Sequence, residues 1–376
     1  MNKSTVIFAA LALLAASCTK TEVVSCDAQG SQRGIGFSAY TAKPTKAAPQ
    51  TDVTISNFNS FEVTAIGKGA VYFDNVTFNW KSGSKVWESD PLYFWPAYAL
   101  DFYAYNTPAN GNGTFTRNIT DTDPKTLTLT YSPAADLDKQ EDLVAAYAGS
   151  KTESNATSTN NSLALTFNHY LTQVIVKAKS SNANYKIVVD GVKLANIVGN
   201  GTYTFSDNKM TAGSTADADY DEIFTTGKTL TTEAQEVMTN AGTGKWYLIP
   251  QTTLTAWNQE TDKSNNLNGA YLGLKVKITN ADGSYKVYPS SGNQSAWMAI
   301  PISTSKIAFA QGKRYTVVVN FFGNNGAGYV DPEVPGDLDG DGEVNDDNGK
   351  SIIGGAITFN ATVSDWAPET EIVIDL

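Results

Sequence analysis

The sequence contains almost no cysteine and almost no histidine. Its two cysteines, Cys18 and Cys26, both lie near the start of a chain of 376 residues. The rest of the chain therefore has no thiol for a disulfide, a nucleophile or a zinc site. The single histidine, His169, stands between aromatic residues, where a hydrogen-bonded structural role is the usual one. We expect the folded part to be held together by its core alone.

Basic residues and catalytic motifs are also scarce. The chain has 27 Lys and Arg against 38 Asp and Glu, a formal net charge of −11. This balance argues against nucleic acid binding and gives no electrostatic attraction toward anionic lipid. The sequence has no Gly-x-Ser-x-Gly elbow, no phosphate loop and no histidine pair, and no pair of carboxylates stands out for glycoside hydrolysis. We therefore predict that the protein is not an enzyme.

The N-terminus is typical of a lipoprotein signal peptide. Val6–Leu14 is an apolar run of nine residues, too short to span a bilayer. Small residues follow it directly before Cys18, as a lipoprotein signal peptidase requires. We predict a signal peptide over 1–17 and acylation of Cys18, where each buried methylene contributes about 0.8 kcal/mol of anchoring. An ordinary cleaved signal is the alternative, and Cys26 is a poorer lipidation site because charged residues precede it.

The remainder of the sequence predicts an antiparallel all-β fold. Short runs rich in Thr, Val, Tyr and Phe alternate between apolar and polar residues, as in Leu100–Tyr105 and Tyr315–Val319. Asn-Gly and Asp-Gly turn pairs separate these runs. Helical pattern is confined to Thr231–Met238 and Glu141–Tyr147, each about two turns long.

The chain length predicts two domains, at about 100–200 residues per domain. Loops rich in Ser, Thr and Asn occur at 149–162 and 178–184, and we place the boundary near residue 180. The resulting domains are 47–180 and 181–376. No internal repeat of fixed period is visible, which argues against a solenoid or a propeller.

Residues 18–46 form a leader that contains a candidate β-strand. Alternation places one face of this strand toward a core, formed by Ile35, Phe37, Ala39 and Thr41. Burial of Ile35 and Phe37 would stabilise whichever sheet holds the strand by about 1.5–3 kcal/mol each. Removal of such a strand would leave an open sheet edge beside an apolar slot, which invites the addition of another strand.

The segment 336–349 is strongly acidic and matches most of an EF-hand-like calcium loop. The candidate ligands are Asp337, Asp339, Asp341, the backbone carbonyl of Glu343, and Asn345. The match fails at the last ligand position, where Asn348 replaces the expected bidentate acid. We predict a structural calcium ion as the only cofactor, since so many carboxylates would repel one another without a cation. The alternative is a solvated acidic loop.

Aromatic residues suggest a second function of a different class. The conspicuous ones are Trp87, Tyr93–Trp95, Trp246, Tyr247, Trp257 and Trp297. Exposed rings of this kind stack on sugars, so a surface lipoprotein that binds glycans is the alternative function. Most tryptophans in a large β protein are core residues, and we favour that interpretation here.

Beyond these local features, a set of short motifs follows one order along nearly the whole chain. They are Ile35–Phe37, Phe61–Val63, Trp87–Pro96, Leu100–Tyr105, Asp142–Ala146, Leu165–Leu171, Leu248–Gln251, Gly312–Tyr315 and Val363–Trp366. This ordered set resembles the fimbrillin family of Bacteroides-type bacteria, the subunits of lipoprotein-derived type V pili. The resemblance implies two tandem transthyretin-like antiparallel β-sandwich domains. It also implies an outer-membrane lipoprotein precursor at the cell surface, other pilus subunits as partners, and a host or bacterial surface ligand.

The resemblance further implies a maturation route by proteolysis. A trypsin-like protease cuts after a basic residue, the first strand is removed, and the C-terminal strand of a neighbouring subunit fills the groove. Here Arg33 precedes the strand, so a cut there would leave the strand attached. Pro44 makes Lys43 a poor site, and Lys46 is therefore the better candidate, although the family typically has arginine after the strand. Without cleavage the protein would stay anchored with its groove filled.

The C-terminus ends in a second alternating apolar run. Ile372, Ile374 and Leu376 share one face of this run. We predict that it is the donor strand, with completion of its own domain as the alternative.

Overall fold

The computed structural model describes residues 33–41, 58–156, 162–240, 244–258, 269–292, 294–333 and 347–366. The predicted all-β fold is confirmed: within these residues the only helices are two single-turn 3₁₀ helices, Leu137–Lys139 and Glu153–Asn155. The described part of the chain holds no helix of the length and hydropathy that a membrane span needs.

The described residues form twenty-two strands. Those before residue 170 are β1 (Gly36–Thr41), β2 (Ser60–Gly67), β3 (Ala70–Lys81), β4 (Val86–Ser89), β5 (Leu100–Tyr105), β6 (Thr114–Ile119), β7 (Leu127–Ser132), β8 (Val144–Lys151) and β9 (Ser162–His169). Those after it are β10 (Thr172–Ser180), β11 (Tyr185–Val198), β12 (Gly201–Thr204), β13 (Lys209–Ala212), β14 (Ala216–Thr229), β15 (Gln235–Glu236), β16 (Trp246–Leu248), β17 (Tyr271–Asn280), β18 (Lys286–Tyr288), β19 (Ala296–Pro301), β20 (Lys313–Phe321), β21 (Tyr329–Val330) and β22 (Thr358–Asp365).

Seven strands of the N-terminal half close into a barrel, in the order β1-β4-β3-β2-β5-β8-β9. Alternate residues point inward and fill the interior, where aromatic side chains from six strands meet. These include Phe37, Phe61, Phe78, Phe102 and Phe167. Every pair around the barrel is antiparallel except β1 with β9, which is parallel.

Two sheets of the C-terminal half share one core and form the C-terminal body. One sheet has the order β15-β10-β20-β22, with β16 also paired to β10. The other has the order β14-β11-β17-β19-β21, with β18 also paired to β17. Apolar residues of both sheets, such as Val176, Leu194, Leu274 and Val317, belong to a single buried cluster. The pair β10 and β20 is parallel, so the fold is predominantly rather than wholly antiparallel.

A smaller sheet joins the two halves of the chain. Its order β13-β12-β7-β6 pairs β12 with β7, from opposite sides of residue 180. Strand β10, which ends at Ser180, pairs with β15, β16 and β20, all later in the chain. The domain boundary at 180 and the transthyretin-like arrangement of the sheets stay predictions.

The two segments with helical pattern form no helix, and that expectation is wrong. Glu141–Tyr147 runs into β8, and its residues Leu143, Val144 and Ala145 are fully buried. A short run buried on both faces has no strand-like alternation, so its sequence does not distinguish it from a helix. Thr231–Met238 lies along the edge of β10, where β15 pairs with Lys177 and Ala178.

Candidate functional site

Strand β1 is the strand that closes the barrel, because it lies between β4 and β9. It runs parallel to β9 from the pair Gly36 and Ser162 to the pair Thr41 and Phe167. On its other side it pairs with β4 only at Gly36 and Phe37. Without β1 the barrel would be an open sheet of six strands, whose edges β4 and β9 would have unpaired backbone groups. We call the space that β1 occupies the β1 slot.

The apolar face of β1 points into the barrel core. Ile35 and Phe37 are 0% exposed and Ala39 is 6% exposed. The strand continues to Thr41, whose side chain lies outside the described part of the structure. The leader thus contributes core residues to the N-terminal half, although it stands before that half in the sequence.

Phe37 is the anchor of the strand, since three rings surround it. Its ring centroid lies 4.8 Å from that of Phe78 and 5.3 Å from that of Phe102, both edge-on. The ring of Phe61 is 6.0 Å away. Aromatic pairs in such geometry contribute about 0.5–1.5 kcal/mol beyond the area that they bury. The alternation of apolar residues in β2 and β5 was the sequence signal for two of these partners.

The residues directly before β1 are held in place by backbone hydrogen bonds around Arg33. The Trp95 N–H donates to the Arg33 carbonyl oxygen at 3.3 Å, and the Ile35 N–H donates to the Tyr93 carbonyl oxygen at 2.7 Å. The Arg33 side chain is about half exposed, with its Nε 3.2 Å from a carboxylate oxygen of Glu153. The peptide bond after Arg33 is therefore held in paired backbone, whereas proteases cut most readily in exposed, unpaired loops.

Several predicted site residues lie outside the described part of the chain. These are Cys18, Lys46, Asp337, Asp339, Asp341, Glu343, Asn345, Ile372, Ile374 and Leu376. By sequence, Lys46 lies in the connection between β1 and β2, and the donor segment follows Trp366, the last described residue. Their proposed roles stay predictions.

The described residues of the acidic segment 336–349 are its last three, and two of them have partners of their own. The Asp347 carboxylate lies 2.8 Å from the Lys350 Nζ, and the Asn348 side-chain amide donates to the Pro332 carbonyl oxygen at 3.0 Å. Within the described ranges, no group of three or more His, Cys, Asp or Glu residues is placed to hold a metal ion. The calcium ion stays a prediction for the segment 336–349.

The last described turn of the chain is fixed by the single histidine. The His169 Nδ1 lies 3.0 Å from an Asp142 carboxylate oxygen, and both side chains are buried. The Trp366 ring stacks on the His169 ring with centroids 4.3 Å apart, and the Tyr247 ring lies 5.6 Å from that of Trp366. His169 thus joins the end of β9 to the end of β22, directly before the predicted donor segment.

Most aromatics that suggested glycan binding are core residues. Trp87, Trp95, Trp246 and Trp257 are each 5% exposed or less. A more exposed ring is Trp80, at 39%, which packs against Trp87 at 4.4 Å and was not selected from the sequence. The buried rings are not available to stack on a sugar.

Comparisons with known proteins give one family match and several distant structural matches. The sequence profile of the fimbrillin-like family matches residues 41–366. A search of curated proteins found no match.

The solved structures that match include two proteins named for a suggested role in cell adhesion. One, from Bacteroides uniformis, has 13% identity and a TM-score of 0.43, and covers 89% of this chain and 98% of its own. The other, from Parabacteroides distasonis, has 9% identity and a TM-score of 0.46, and covers 91% and 98%. The fimbrial anchor protein Mfa2 from Porphyromonas gingivalis has 12% identity and a TM-score of 0.34, and covers 77% and 91%. These similarities are too low to carry an argument about function.

Proposed function

Because the chain belongs to the fimbrillin-like family, we propose that it is a pilus subunit or pilus-associated surface lipoprotein that assembles by strand exchange. A fimbrial role at the cell surface follows from the family, which is one of structural proteins rather than enzymes. The observation that carries the mechanism is the position of β1: a strand from the leader closes the barrel and fills its core.

The energetics of the β1 slot support an exchange of strands. Burial of Ile35 and Phe37 contributes about 1.5–3 kcal/mol each, and each backbone hydrogen bond adds about 0.5–1.5 kcal/mol net. The same apolar slot and the same edges of β4 and β9 would bind an incoming strand with a similar alternation of apolar residues. The leader strand is then a temporary occupant of a site that is completed by another subunit.

Cleavage after Lys46 would release this occupant. A cut there separates β1 from the rest of the barrel, whereas a cut after Arg33 releases only the lipidated residues and leaves β1 in place. The paired backbone on both sides of Gly34 also protects the Arg33 site in the folded state. Lys46 is therefore the processing site of this proposal, and Cys18 is the lipid anchor that holds the precursor at the outer membrane.

The C-terminal run is the proposed donor. Its apolar residues Ile372, Ile374 and Leu376 recur at every second position, as Ile35, Phe37 and Ala39 do in the leader. A donor strand between β4 and β9 of a neighbouring subunit would place these residues in the barrel core. Partners of the protein are therefore other subunits that carry such a run.

The test is the N-terminal residue of the mature protein, together with deletion of 372–376. We expect Ala47 as the first mature residue in polymers, and we expect the deletion to abolish polymers while the monomer stays folded. A mature protein that begins at Cys18 or Gly34 within polymers would contradict release of β1. Polymers that are unchanged by the deletion would refute the donor role.

A further inference from the structure

A buried lysine and a buried aspartate meet in the C-terminal body, outside the core cluster that its two sheets share. Lys193 of β11 is 7% exposed, and Asp331, directly after β21, is 1% exposed. The Lys193 Nζ lies 2.7 Å from the Asp331 Oδ2. This contact joins two segments that are far apart in the sequence, and it is independent of the β1 slot.

A glycine on the neighbouring strand lets the lysine reach the aspartate. Strand β17 lies beside β11, with Gly273 opposite Lys193. A Cβ atom at Gly273 would lie 3.2 Å from the Lys193 Cβ and 3.3 Å from its Cε. The side chain therefore lies across the glycine, toward the segment after β21. The Tyr271 and Trp297 rings flank the amine, with their centroids 5.0 Å and 5.2 Å from Nζ.

The two oxygens of the Asp331 carboxyl group have different surroundings. Oδ1 accepts hydrogen bonds from the Tyr271 hydroxyl at 3.1 Å and from the Glu333 N–H at 2.8 Å. Oδ2 is buried, and its contact with Nζ lacks the alignment of a hydrogen bond. Two donors on one oxygen form the arrangement that stabilises a developing negative charge on that oxygen. Burial raises the pKa of Tyr271, and the charges of Asp331 and Glu333 raise it further, so the hydroxyl keeps its proton.

Glu333 supplies a third functional group beside the amine. Its Oε2 lies 3.7 Å from the Lys193 Nζ, and its Oε1 accepts a hydrogen bond from the Asn196 side-chain amide at 2.9 Å. Burial raises the pKa of Glu333, although the Lys193 charge opposes this. A raised pKa makes the carboxylate a better proton acceptor, and its position beside the amine lets it accept a proton and return it.

From this geometry we propose that Lys193 and Asp331 condense to an intramolecular isopeptide bond, with Glu333 as the proton carrier. The amine first loses its proton to the Asp331 carboxylate, which leaves a neutral amine and a neutral carboxylic acid. The Nζ lone pair then attacks the Asp331 Cγ, and the C=O electron pair moves onto Oδ1, held by Tyr271 and the Glu333 N–H. Glu333 takes a proton from nitrogen and delivers one to Oδ2.

The reaction is balanced without any oxidant, reductant or co-reactant. One C–N bond forms between Nζ and Cγ, one C–O bond breaks between Cγ and Oδ2, and one water molecule leaves. Glu333 ends in the protonation state in which it began. Nothing is oxidised or reduced, so the site needs no metal ion and no cofactor for this step.

Burial explains why condensation is favourable here and not in water. Ionisation of the separate amine and acid opposes amide formation in water, and the removal of charged groups from water is costly. The fold also holds the two groups in contact, which corresponds to an effective concentration of about 10⁵–10⁸ M for well-aligned groups. The amide replaces a buried ion pair, whose desolvation cost is large, by a neutral group.

A peptide map of the full chain tests the proposal directly. Trypsin cannot cut after an acylated lysine, so the bond would join peptide 187–209 to peptide 315–350. We expect this branched product from folded protein, with a mass lower by one water molecule than the sum of its two peptides. Recovery of unlinked 187–193 and unlinked 315–350 in full amount would overturn the proposal, and this result needs no variant.

Three variants assign the roles of the residues. Lys193→Met removes the amine, and we expect the branched product to be lost. Glu333→Gln keeps the acceptor for Asn196 but cannot carry the proton, and we expect the product to be lost there too. Lys186→Met replaces an exposed lysine of the same strand, and the branch should persist. An undiminished branch in Glu333→Gln would overturn the role of Glu333, and its loss in Lys186→Met would overturn the assignment to Lys193.

Discussion

The barrel and the C-terminal body hold their strands in opposite ways. The barrel is closed by β1, a strand that comes from the leader, pairs with β4 at only two positions, and is joined to β2 by a segment containing two lysines. The body is built from strands after residue 170 and buries the Lys193–Asp331 contact between two of its segments. The difference matters for the proposed strand exchange, in which the barrel would lose one strand while the body would retain all of its strands.

Removal of β1 should have the largest effect on the difference in stability between the barrel and the body. A chain that begins at Ala47 lacks the burial of Ile35 and Phe37, about 1.5–3 kcal/mol each, and the hydrogen bonds of the strand. We expect the barrel to lose several kcal/mol of stability while the body is unchanged. Hydrogen exchange at β4 and β9, compared with exchange at β11 and β17, measures the difference.

The matched control for that truncation is a chain that begins at Gly34. It keeps β1 and should lose only the contacts that Arg33 makes with Trp95 and Glu153. Equal protection of β4 and β9 in the two truncated chains would show that β1 does not hold the barrel closed.

A single substitution in β1 should reproduce most of this effect. Phe37→Ala leaves a cavity among three aromatic rings, and we expect a loss of about 3–5 kcal/mol in the free energy of unfolding of the barrel. Tyr285→Ala is the control in the body, because that side chain is 68% exposed and the change should stay within about 0.5 kcal/mol. Denaturant unfolding measures both, and similar losses would remove the special role of Phe37.

Calcium should stabilise the body rather than the barrel. If the segment 336–349 binds the ion, saturation at a hundred times the dissociation constant adds about 2.7 kcal/mol. We expect calcium to raise the melting temperature, chelator to reverse this, and Asp339→Asn with Asp341→Asn to abolish it. A melting temperature that is indifferent to calcium and to chelator would refute the site.

The smallest effect concerns a surface ion pair between Asp74 of the barrel and Arg117 of β6, in the sheet that joins the two halves. Burial alone would raise the pKa of Asp74. Hydrogen bonds from Arg117 and Thr64 and the charge of Arg117 outweigh burial, so the pKa is lowered. A lowered pKa means that the carboxylate stabilises the fold above its unfolded pKa of 3.8, and that this contribution is lost as pH falls through the folded value.

Asp74→Asn should therefore lower stability by about 0.2–1 kcal/mol at neutral pH and by nothing in stronger acid. Unfolding of both proteins across the acid range measures this. A difference that is independent of pH would contradict the role of the charge.

Alternation was enough to identify the core face of β1 but not its neighbours. Ile35, Phe37 and Ala39 were placed on one face from their spacing, and all three are buried. That β1 lies between β4 and β9, and parallel to β9, could not be derived, because strand pairing joins residues that are distant in the sequence. The same reason explains the wrong helix at Glu141–Tyr147, where burial on both faces removed the alternation.

The Lys193 cluster had no signal in the sequence. Lys193 lies between Val192 and Leu194, so simple alternation would place it on the solvent side of β11. All three residues are buried, because β14 and β17 flank the strand and the segment after β21 covers the amine. Gly273 leaves room for the lysine side chain only because the pairing of β11 with β17 places it opposite Lys193.

By itself the sequence determined the all-β class and the family to which the chain belongs, and it predicts the lipid anchor at Cys18. These depend on residue order and on patterns within a few residues, which a single chain displays directly. Only the tertiary structure decided that β1 closes the barrel, that the Arg33 backbone is paired, and that Lys193 meets Asp331. Each of these depends on burial by segments far away in the sequence, and burial determines both the stability of a strand and the reactivity of an amine.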